Sequence, residues 1–292
     1  MILVTGATGL SGSELVRRLS GKRIPSRALV RNLAKAQPLT LLPNIEVVVG
    51  DMARPESLTE ALRGVERAIL ISSSDPTMVE TQTSFIDAAR KAGVQHVVKL
   101  SGIIPELDSP FRFARMHAEI EKRLEASGVA YTHLRAGEFM PSYFRQVPSI
   151  VARGVLALPM GDARIASVDI GDIAEVAIAV LTTAGHEGKT YPLTGPESLS
   201  MAEVAEKLSA VTGKTVRYVD VPPEEANRAR LAAGMPPYLA EGLDELFAER
   251  RNGKESKVWA TIEEVFGWHP TSFDTFARRH AAIFRGEQPS PR

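Results

Sequence analysis

A glycine-rich turn near the N-terminus is the first segment of this chain whose residue types and spacing could do chemistry. Residues 5–12 read Thr-Gly-Ala-Thr-Gly-Leu-Ser-Gly, directly after the apolar run Ile2–Val4 and at the start of an amphipathic stretch. Glycines at a strand-to-helix junction permit a tight turn and a close backbone approach, and the free N–H groups of the helix start attract an anion. The spacing predicts a pyrophosphate site, against the alternative of a connecting turn without a ligand. Its predicted contacts are Gly6, Thr8, Gly9, Leu10 and Gly12.

The second apolar run, Ala28–Val30, ends in an arginine. Dinucleotide sites specific for NAD usually place an acid here to accept from the ribose 2′-hydroxyl. No acid occurs between Ile24 and Ala34. Arg31, with Lys35 further along, could instead hold a 2′-phosphate, because a guanidinium pairs with phosphate in a bidentate way. The pattern predicts NADP(H) as the preferred cofactor and leaves NAD(H) open; an ordinary surface arginine is the alternative.

Polar or flexible residues also follow three later apolar runs. The runs are Ile45–Val49, Ala68–Ile71 and His96–Leu100. Ligands of open α/β sheets bind at the carboxyl ends of the strands, so residues at these positions are expected to face the same crevice. Each could equally be an ordinary turn residue or helix cap. The predicted cofactor contacts are Asp51, Met52, Ser72, Ser73 and Ser101.

Short apolar runs alternate with amphipathic stretches through the first half of the chain. The runs do not alternate strictly between apolar and polar residues, which is typical of strands buried on both faces of a parallel sheet. The pattern predicts an α/β protein, with a Rossmann-type doubly wound parallel sheet and a smaller, mostly helical C-terminal subdomain on the substrate side. Residues 1–138 are predicted to form the dinucleotide-binding core. Residues 139–292 would add strands and the subdomain, with short helices and loops over the Pro- and Gly-containing segment 139–168.

Composition excludes several classes of function. Lys plus Arg and Asp plus Glu both number 35, so no basic excess favours nucleic acid as a partner. The chain has no cysteine, and its histidines show no ligand spacing, so no metal site is predicted. No segment approaches the roughly 20 apolar residues of a membrane helix, and the N-terminus lacks a signal-peptide pattern. The sequence predicts a cytoplasmic protein with no membrane partner.

Six segments together resemble the NmrA-like branch of the atypical short-chain dehydrogenase/reductases. The resemblance extends to about Val221 and is less specific in the C-terminal helices. Within the branch, the chain is most similar to bacterial NAD(P)H:quinone oxidoreductases, triphenylmethane-dye reductases and azoreductases. The branch also contains regulators that bind the dinucleotide without catalysis. The segments are residues 6–12, 30–32, 50–51, 134–139, 168–174 and 191–196.

The tyrosine and lysine of the wider superfamily are missing from this sequence. That superfamily uses Tyr-x-x-x-Lys on the helix after the fifth strand, with tyrosine as the proton donor. None of the tyrosines here has a lysine four residues later, and Phe113 and His117 occupy the matching positions. The resemblance therefore implies that carbonyl reduction by the usual route is in doubt. His117 is the candidate catalytic residue and a predicted cofactor contact, against the alternative of a solvated histidine on a helix face.

The segment after the sixth apolar run is implied by the resemblance to line the nicotinamide end of the site. Gly137, Glu138 and Phe139 are the predicted cofactor contacts there. The same segment could supply an apolar wall for an aromatic acceptor, although such clusters are more often core. The predicted wall consists of Phe139, Met140, Tyr143 and Phe144.

Two functions follow from these residues. The first is an NAD(P)H-dependent reductase that transfers hydride to an electron-poor conjugated acceptor, such as a quinone, an azo compound or a dye. Such acceptors need little acid assistance, and the positioning of the reactants supplies most of the catalysis. Its partner would be a small aromatic or quinoid substrate, and a homo-oligomer is left open. The alternative is a non-catalytic redox sensor that binds NAD(P).

Overall fold

The structure is a computed structural model that describes residues 1–290. Its strands, in chain order, are β1 (Ile2–Val4), β2 (Ser26–Val30), β3 (Ile45–Val49), β4 (Arg67–Leu70), β5 (His96–Gly102), β6 (Ala130–Ala136), β7 (Val155–Leu158), β8 (Arg164–Ile165), β9 (Lys189–Leu193), β10 (Leu199–Ser200) and β11 (Arg217–Asp220). Its α-helices are α1 (Leu10–Gly21), α2 (Leu33–Thr40), α3 (Leu58–Ala61), α4 (Met78–Lys91), α5 (Arg112–Glu125), α6 (Val147–Arg153), α7 (Ile170–Thr182), α8 (Met201–Thr212), α9 (Pro223–Ala232), α10 (Pro237–Arg251), α11 (Thr261–Phe266), α12 (Phe273–Arg279) and α13 (Ala281–Phe284). Short 3₁₀ helices cover Pro55–Ser57 and Met140–Gln146.

A seven-stranded sheet forms the centre of the first of two compact units. Its strand order is β3-β2-β1-β4-β5-β6-β9, and β1 pairs in parallel with both β2 and β4. The chain reverses direction across the sheet between β1 and β4, which is the switch point where open α/β sheets bind ligands. This order confirms the predicted Rossmann-type doubly wound fold. The first unit consists of Met1–Asp108, Phe113–Arg135 and Ile170–Pro192.

The inner strands β1, β2, β4 and β5 are largely buried, as their apolar sequences predict, whereas β3 lies at the edge of the sheet and is only partly buried despite its apolar sequence. Leu3 and Val4 in β1 are fully buried, and so are Val97 and Val98 in β5. Helix α1 packs one apolar face inward while its opposite face carries charged residues. Burial of such faces drives the strand–helix layering, and it fixes the strand ends at one edge of the sheet.

The second unit contains two small sheets and most of the C-terminal helices in the described part of the chain. It comprises Ser109–Arg112, Ala136–Asp169 and the residues from Leu193 onward. Strand β7 pairs in parallel with β11, and β8 pairs antiparallel with β10. The prediction of only short helices and loops over 139–168 was wrong here, because it missed β7 and β8. Strands of four and two residues carry too little periodicity to be recognised, and β11 lies far along the sequence.

Over residues 1–290, no helix combines the length and the apolar character that a membrane crossing needs.

Candidate functional site

The glycines of the N-terminal turn are fixed by the backbone around them. Gly6 has a φ of +59°, and a Cβ on it would lie 2.8 Å from the carbonyl oxygen of Ile71. A Cβ on Gly12 would lie 2.2 Å from the carbonyl oxygen of Gly6. Atoms cannot approach this closely, and the left-handed φ of Gly6 disfavours any side chain. The turn therefore keeps its shape only with glycine at both positions.

Thr5 fixes the turn to the end of the neighbouring strand, a role that the sequence did not reveal. Its Oγ1 donates to the carbonyl oxygen of Ile71 at 2.7 Å and accepts from the N–H of Ile71 at 2.7 Å. Thr5 is fully buried, so both bonds are shielded from water. This reciprocal pair holds the carboxyl ends of β1 and β4 together, directly under the switch point.

Helix α1 begins with its N-terminal backbone groups open to an anion. Its N-cap is Gly9, which offers no side chain to cap the first turn, and that turn carries no acidic residue. Thr8 and Gly9 are exposed, so the helix start is accessible. Unpaired N–H groups and the positive end of the helix dipole both favour a phosphate here. The turn of residues 6–12, here called the glycine cradle, and the uncapped start of α1 thus fit the pyrophosphate of a dinucleotide.

Arg31 follows β2 directly and is exposed, as is Lys35 on the helix that follows. Asn32 begins that helix, because its side chain accepts from the N–H of Ala34 at 2.8 Å. Asp75, in the loop after β4, also faces Arg31. Burial alone would raise the pKa of Asp75, but hydrogen bonds from Thr77 and Ser73 and the charge of Arg31 hold this pKa below its ordinary value. The charge of Arg31 therefore acts on the loop that follows β4.

Asp51 and Met52 lie in the turn after β3. The Asp51 carboxylate accepts from the N–H of Ala53 at 3.0 Å, and its side chain remains 25 % exposed. The other oxygen lies 3.7 Å from Arg54 Nε, so both oxygens have partners in the turn while the carboxylate stays partly exposed. Met52 packs against the apolar core of the unit.

The three predicted serines have different surroundings. The Ser72 hydroxyl accepts from Gln82 Nε2 at 2.8 Å, and the Ser73 hydroxyl donates to Asp75 Oδ2 at 2.7 Å. Ser72 and Ser73 therefore order the loop after β4, the same loop that faces Arg31. The Ser101 hydroxyl is buried and has no hydrogen-bond partner among residues 1–290.

A lysine and a histidine form the most unusual pair in the first unit. Lys99 Nζ lies 2.9 Å from His117 Nδ1, and Lys99 is fully buried in β5. Burial lowers the pKa of Lys99 to about 7, opposed by the charge of Glu121 and assisted by that of Arg135. Burial and the charge of Lys99 hold the pKa of His117 well below its ordinary value. His117 is consequently a neutral imidazole at neutral pH.

Sequence reasoning singled out His117 but missed Lys99. The signal was a charged residue inside the apolar run His96–Leu100, a position where lysine is rarely fully buried without a partner. Phe113, at the superfamily's tyrosine position, is 6 % exposed and packs in the core. Its ring offers no proton, so His117 is the nearest titratable group on this face of α5.

An acid–base cluster surrounds this pair on α5 and β6. Arg135 binds the buried Glu121 at 2.6 Å, and His133 Nε2 lies 3.1 Å from a Glu125 carboxylate oxygen. Glu121, Glu125 and His133 bring one possible metal-ligand atom each to within 4.8 Å of one another. Arg135 already occupies the Glu121 carboxylate, so the geometry fits an ion-pair network better than a cation site.

Gly137, Glu138 and Phe139 form the short connection between the end of β6 and the 3₁₀ helix Met140–Gln146, in the second unit. A Cβ on Gly137 would lie 2.9 Å from the carbonyl oxygen of Ala166, which explains the glycine. The Glu138 carboxylate pairs with the buried guanidinium of Arg250, and Arg250 also binds Glu255 at 2.7 Å. Burial would raise the pKa of Glu138, but Arg250 holds it below its ordinary value. Glu138 therefore anchors α10.

The four residues of the predicted wall divide into two groups. Met140, Tyr143 and Phe144 are 1 %, 5 % and 7 % exposed and belong to the aromatic core of the second unit. Burial raises the pKa of Tyr143 to about 12, so its hydroxyl is a poor proton donor at neutral pH. Phe139 is only partly buried. The wall stays a prediction, and packing favours Phe139 as the residue that an acceptor could reach.

The fold and the glycine cradle define the class of this protein: it is a dinucleotide-binding protein of the Rossmann type, with a buried Lys99–His117 pair in the same unit. The model of the NmrA-like family matches residues 1–277. The chain therefore belongs to the NmrA-like family, which confirms the resemblance noted in the sequence.

Three comparisons show what the chain is similar to. It is 39 % identical over 284 residues to the NAD(P)H azoreductase of Xenophilus azovorans, covering 97 % of this chain and 99 % of the relative. A crystal structure of the NADPH-dependent quinone oxidoreductase of Escherichia coli with NADPH has a TM-score of 0.86 and 33 % identity, covering 96 % of this chain and 99 % of that one. The triphenylmethane reductase of Citrobacter sp., complexed with NADP(H), has a TM-score of 0.85 and 30 % identity, covering 96 % and 99 % of the two chains.

Proposed function

We propose that this protein is an NADPH-dependent reductase that transfers hydride to an electron-poor conjugated acceptor: a quinone, an azo compound or a cationic dye. The observation that carries the proposal is the glycine cradle at the uncapped start of α1, in a chain 39 % identical to an NAD(P)H azoreductase. The cradle supports the binding of a dinucleotide, and the similarity to the azoreductase supports the class of acceptor.

The residues of the first unit divide the binding of the cofactor among them. The backbone of residues 6–12 holds the pyrophosphate, and Leu10 opens the helix that faces it. Arg31 and Lys35 hold the 2′-phosphate, and Asp51 and Met52 lie beside the adenine. Ser72, Ser73 and Ser101 lie along the ribose side. Within the second unit, Glu138 holds the turn that carries Gly137 and Phe139 through its pair with Arg250, and Gly137 and Phe139 stay predicted cofactor contacts.

When bound, the dihydronicotinamide supplies the hydride. The chain itself positions the acceptor and supplies a proton where one is needed. Phe113 cannot donate a proton, so an acceptor whose reduced form is already stable suits this chain. Reduction of a quinone creates a delocalised phenolate, and a triarylmethyl cation is neutralised by hydride alone. We assign the donor role toward a phenolate oxygen to His117 Nε2.

A quinone assay tests this proposal. NADPH and NADH oxidation would be followed with a benzoquinone, an azo dye and a triphenylmethane dye as acceptors. We expect turnover with at least one acceptor, with a preference for NADPH that Arg31→Ala removes. No turnover with any member of the panel, at enzyme concentrations that bind NADPH, would contradict the proposal.

A second candidate is a redox sensor that binds NADP(H) and turns over no acceptor. Phe113, at the position of the superfamily's proton donor, favours it. The sensor predicts that the reduced and oxidised cofactors bind with different affinities and that no acceptor is consumed. Titration of both cofactors beside the same acceptor panel separates the two functions. A cytoplasmic location and the oligomeric state stay predictions.

A further inference from the structure

We propose that Lys99 is a positioning residue: it holds His117 as the tautomer with its proton on Nε2, and it replaces the proton that Nε2 gives up. The inference deepens the proposed reductase function and rests on it for its effect on the rate. Lys99 lies in β5, whereas the Tyr-x-x-x-Lys pattern of the superfamily lies on the following helix, α5. The inference therefore gives a role to a buried lysine outside that pattern.

The hydrogen bond between the two residues determines the tautomer. In its ammonium form Lys99 carries donors only, so Nζ then donates to His117 Nδ1 across their 2.9 Å separation. The neutral imidazole then carries its hydrogen on Nε2. Lys99 is fully buried and His117 is only partly buried. Nδ1 is therefore occupied by the buried lysine, and Nε2–H is the ring group left to donate to an acceptor.

Gly102 fixes the ring from a second direction. A Cβ on Gly102 would lie 3.2 Å from His117 Cδ2, closer than an ordinary van der Waals contact. The absence of a side chain on Gly102 thus lets the imidazole lie directly against the end of β5. With Nδ1 bonded to Lys99 and Cδ2 against Gly102, both contacts that orient Nε2 come from strand β5.

The charges around Lys99 bring its proton within reach of the histidine. Glu121 on α5 favours the ammonium, while Arg135 disfavours it and burial disfavours it most, so the pKa of Lys99 is about 7. The charge of Lys99 also acts on His133 on β6, where it helps to lower the pKa of that histidine. An ordinary lysine would hold its proton too tightly to pass it on. Lys99 can therefore pass its proton to Nδ1 at neutral pH as Nε2 gives its own proton to the product.

The proton transfer balances as follows. Hydride from a bound dihydronicotinamide would form a bond to one carbonyl oxygen of the quinone, and its electron pair would leave the other oxygen as a phenolate. His117 Nε2–H breaks, and the proton forms the O–H bond of the product. Nδ1 takes a proton from Lys99 Nζ, which leaves a neutral amine and a neutral imidazole. After the product leaves, Nε2 takes a proton from water and Nδ1 returns one to Nζ, because the buried amine has no direct access to solvent.

Nitrogen-15 NMR of histidine-labelled protein tests the positioning without any turnover. His117→Asn identifies the signals of His117 by their loss. In the wild type we expect the Nε2–H tautomer and no protonation of His117 through pH 6. In Lys99→Met we expect mixed tautomers and a raised pKa of His117, because the nearby cation is gone. An unchanged tautomer and unchanged titration in Lys99→Met would overturn the proposal.

Kinetics with two variants tests the proton supply. Lys99→Gln keeps an N–H donor for Nδ1 but carries no transferable proton, whereas Lys99→Met loses both. We expect wild-type kcat with a quinone to fall as the pH rises through about 7, the pKa of Lys99. Both variants should lose this inflection, and kcat should fall roughly 10²-fold, the lower range for positioned proton transfer. Lys99→Gln alone should keep the wild-type tautomer.

The outcomes separate this inference from the proposed function. Lys91→Met, at the exposed end of α4, is the control and should behave as the wild type. A wild-type inflection and rate in Lys99→Met would overturn the proton supply. If the wild type reduces no acceptor, the reductase function fails, and the tautomer measurement still decides whether Lys99 positions His117. Bound NADPH and cooperative unfolding in each variant exclude misfolding as the cause.

Discussion

The α-carbon of Gly12 faces the carbonyl oxygen of Gly6 so closely that a Cβ on Gly12 would lie 2.2 Å from it. This contact joins the two ends of the cradle, because one glycine leaves β1 and the other lies in the first turn of α1. A methyl group at this point must move the helix start away from the strand. The close contact therefore couples the packing of α1 to the shape of the anion site.

Gly12→Ala is expected to weaken NADPH binding by at least tenfold, because the displaced helix start no longer directs its N–H groups at the pyrophosphate. Gly21→Ala is the matched control in the same helix, since a Cβ there meets nothing within 4 Å. The control should bind NADPH as the wild type does and gain up to about 1 kcal/mol of stability. Fluorescence titration and thermal unfolding measure both effects. Equal NADPH affinities of Gly12→Ala and Gly21→Ala would show that the glycine cradle does not bind the cofactor.

Arg31→Ala is expected to weaken NADPH binding by roughly ten- to hundredfold, the range for a lost hydrogen bond to a charged group. The affinity for NADH should change little, because NADH carries no 2′-phosphate. Arg90→Ala, in the last turn of α4, is the control for a general loss of positive charge. Isothermal titration with both cofactors measures the result. Parallel losses for NADPH and NADH would place the 2′-phosphate elsewhere.

The fold and the class of cofactor were predictable because their signals are local, while the individual cofactor contacts stay predictions. The glycines of the cradle lie within seven consecutive residues, and the strand order follows from repeated strand–helix units. Asn32 and Ser200 also lie directly at the starts of the helices that they cap. Each of these features depends on neighbours in the chain, so the sequence alone contains the information.

The Lys–His pair and the anchor of Glu138 were not predictable because they join distant residues. Lys99 and His117 are 18 residues apart on different elements, and Glu138 and Arg250 are 112 apart. The direction of each side chain is set by tertiary packing, which no periodicity records. The sequence suggested a cofactor role for Glu138, and that role stays a prediction beside its bond to Arg250.

Arg250→Ala is expected to destabilise the protein by about 3–5 kcal/mol, because it leaves Glu138 and Glu255 buried without their cation. The Arg250 side chain is 6 % exposed, while its neighbour Arg251 is 35 % exposed and binds Asp220 at 3.2 Å. Arg251→Ala is the matched control and should cost no more than about 1 kcal/mol. Urea unfolding of both variants measures the difference. Similar midpoints would show that the Arg250 pairs contribute little beyond surface ion pairs.

Lys99→Met is expected to stabilise the protein at neutral pH, in contrast to its predicted loss of proton supply. The pKa of Lys99 is about 7 in the folded chain and near its ordinary value of 10.5 when unfolded. Between these pH values the unfolded chain binds more protons, so wild-type stability rises with pH by up to about 1.4 kcal/mol per unit. Below pH 7 the full cost of the buried ammonium remains. Methionine removes that cost and keeps a similar side-chain length.

Urea unfolding at a series of pH values compares Lys99→Met with the wild type and with Lys91→Met. The stability advantage of Lys99→Met should be largest at pH 6 to 7 and shrink toward pH 10, whereas Lys91→Met should follow the wild type throughout. A difference that does not change with pH would mean that Lys99 titrates normally in the folded chain. The expected result is a stability difference that shrinks toward pH 10 together with a lower kcat of Lys99→Met. It would show that the buried charge of Lys99 reduces stability while Lys99 supplies the proton to His117, a trade-off typical of functional sites.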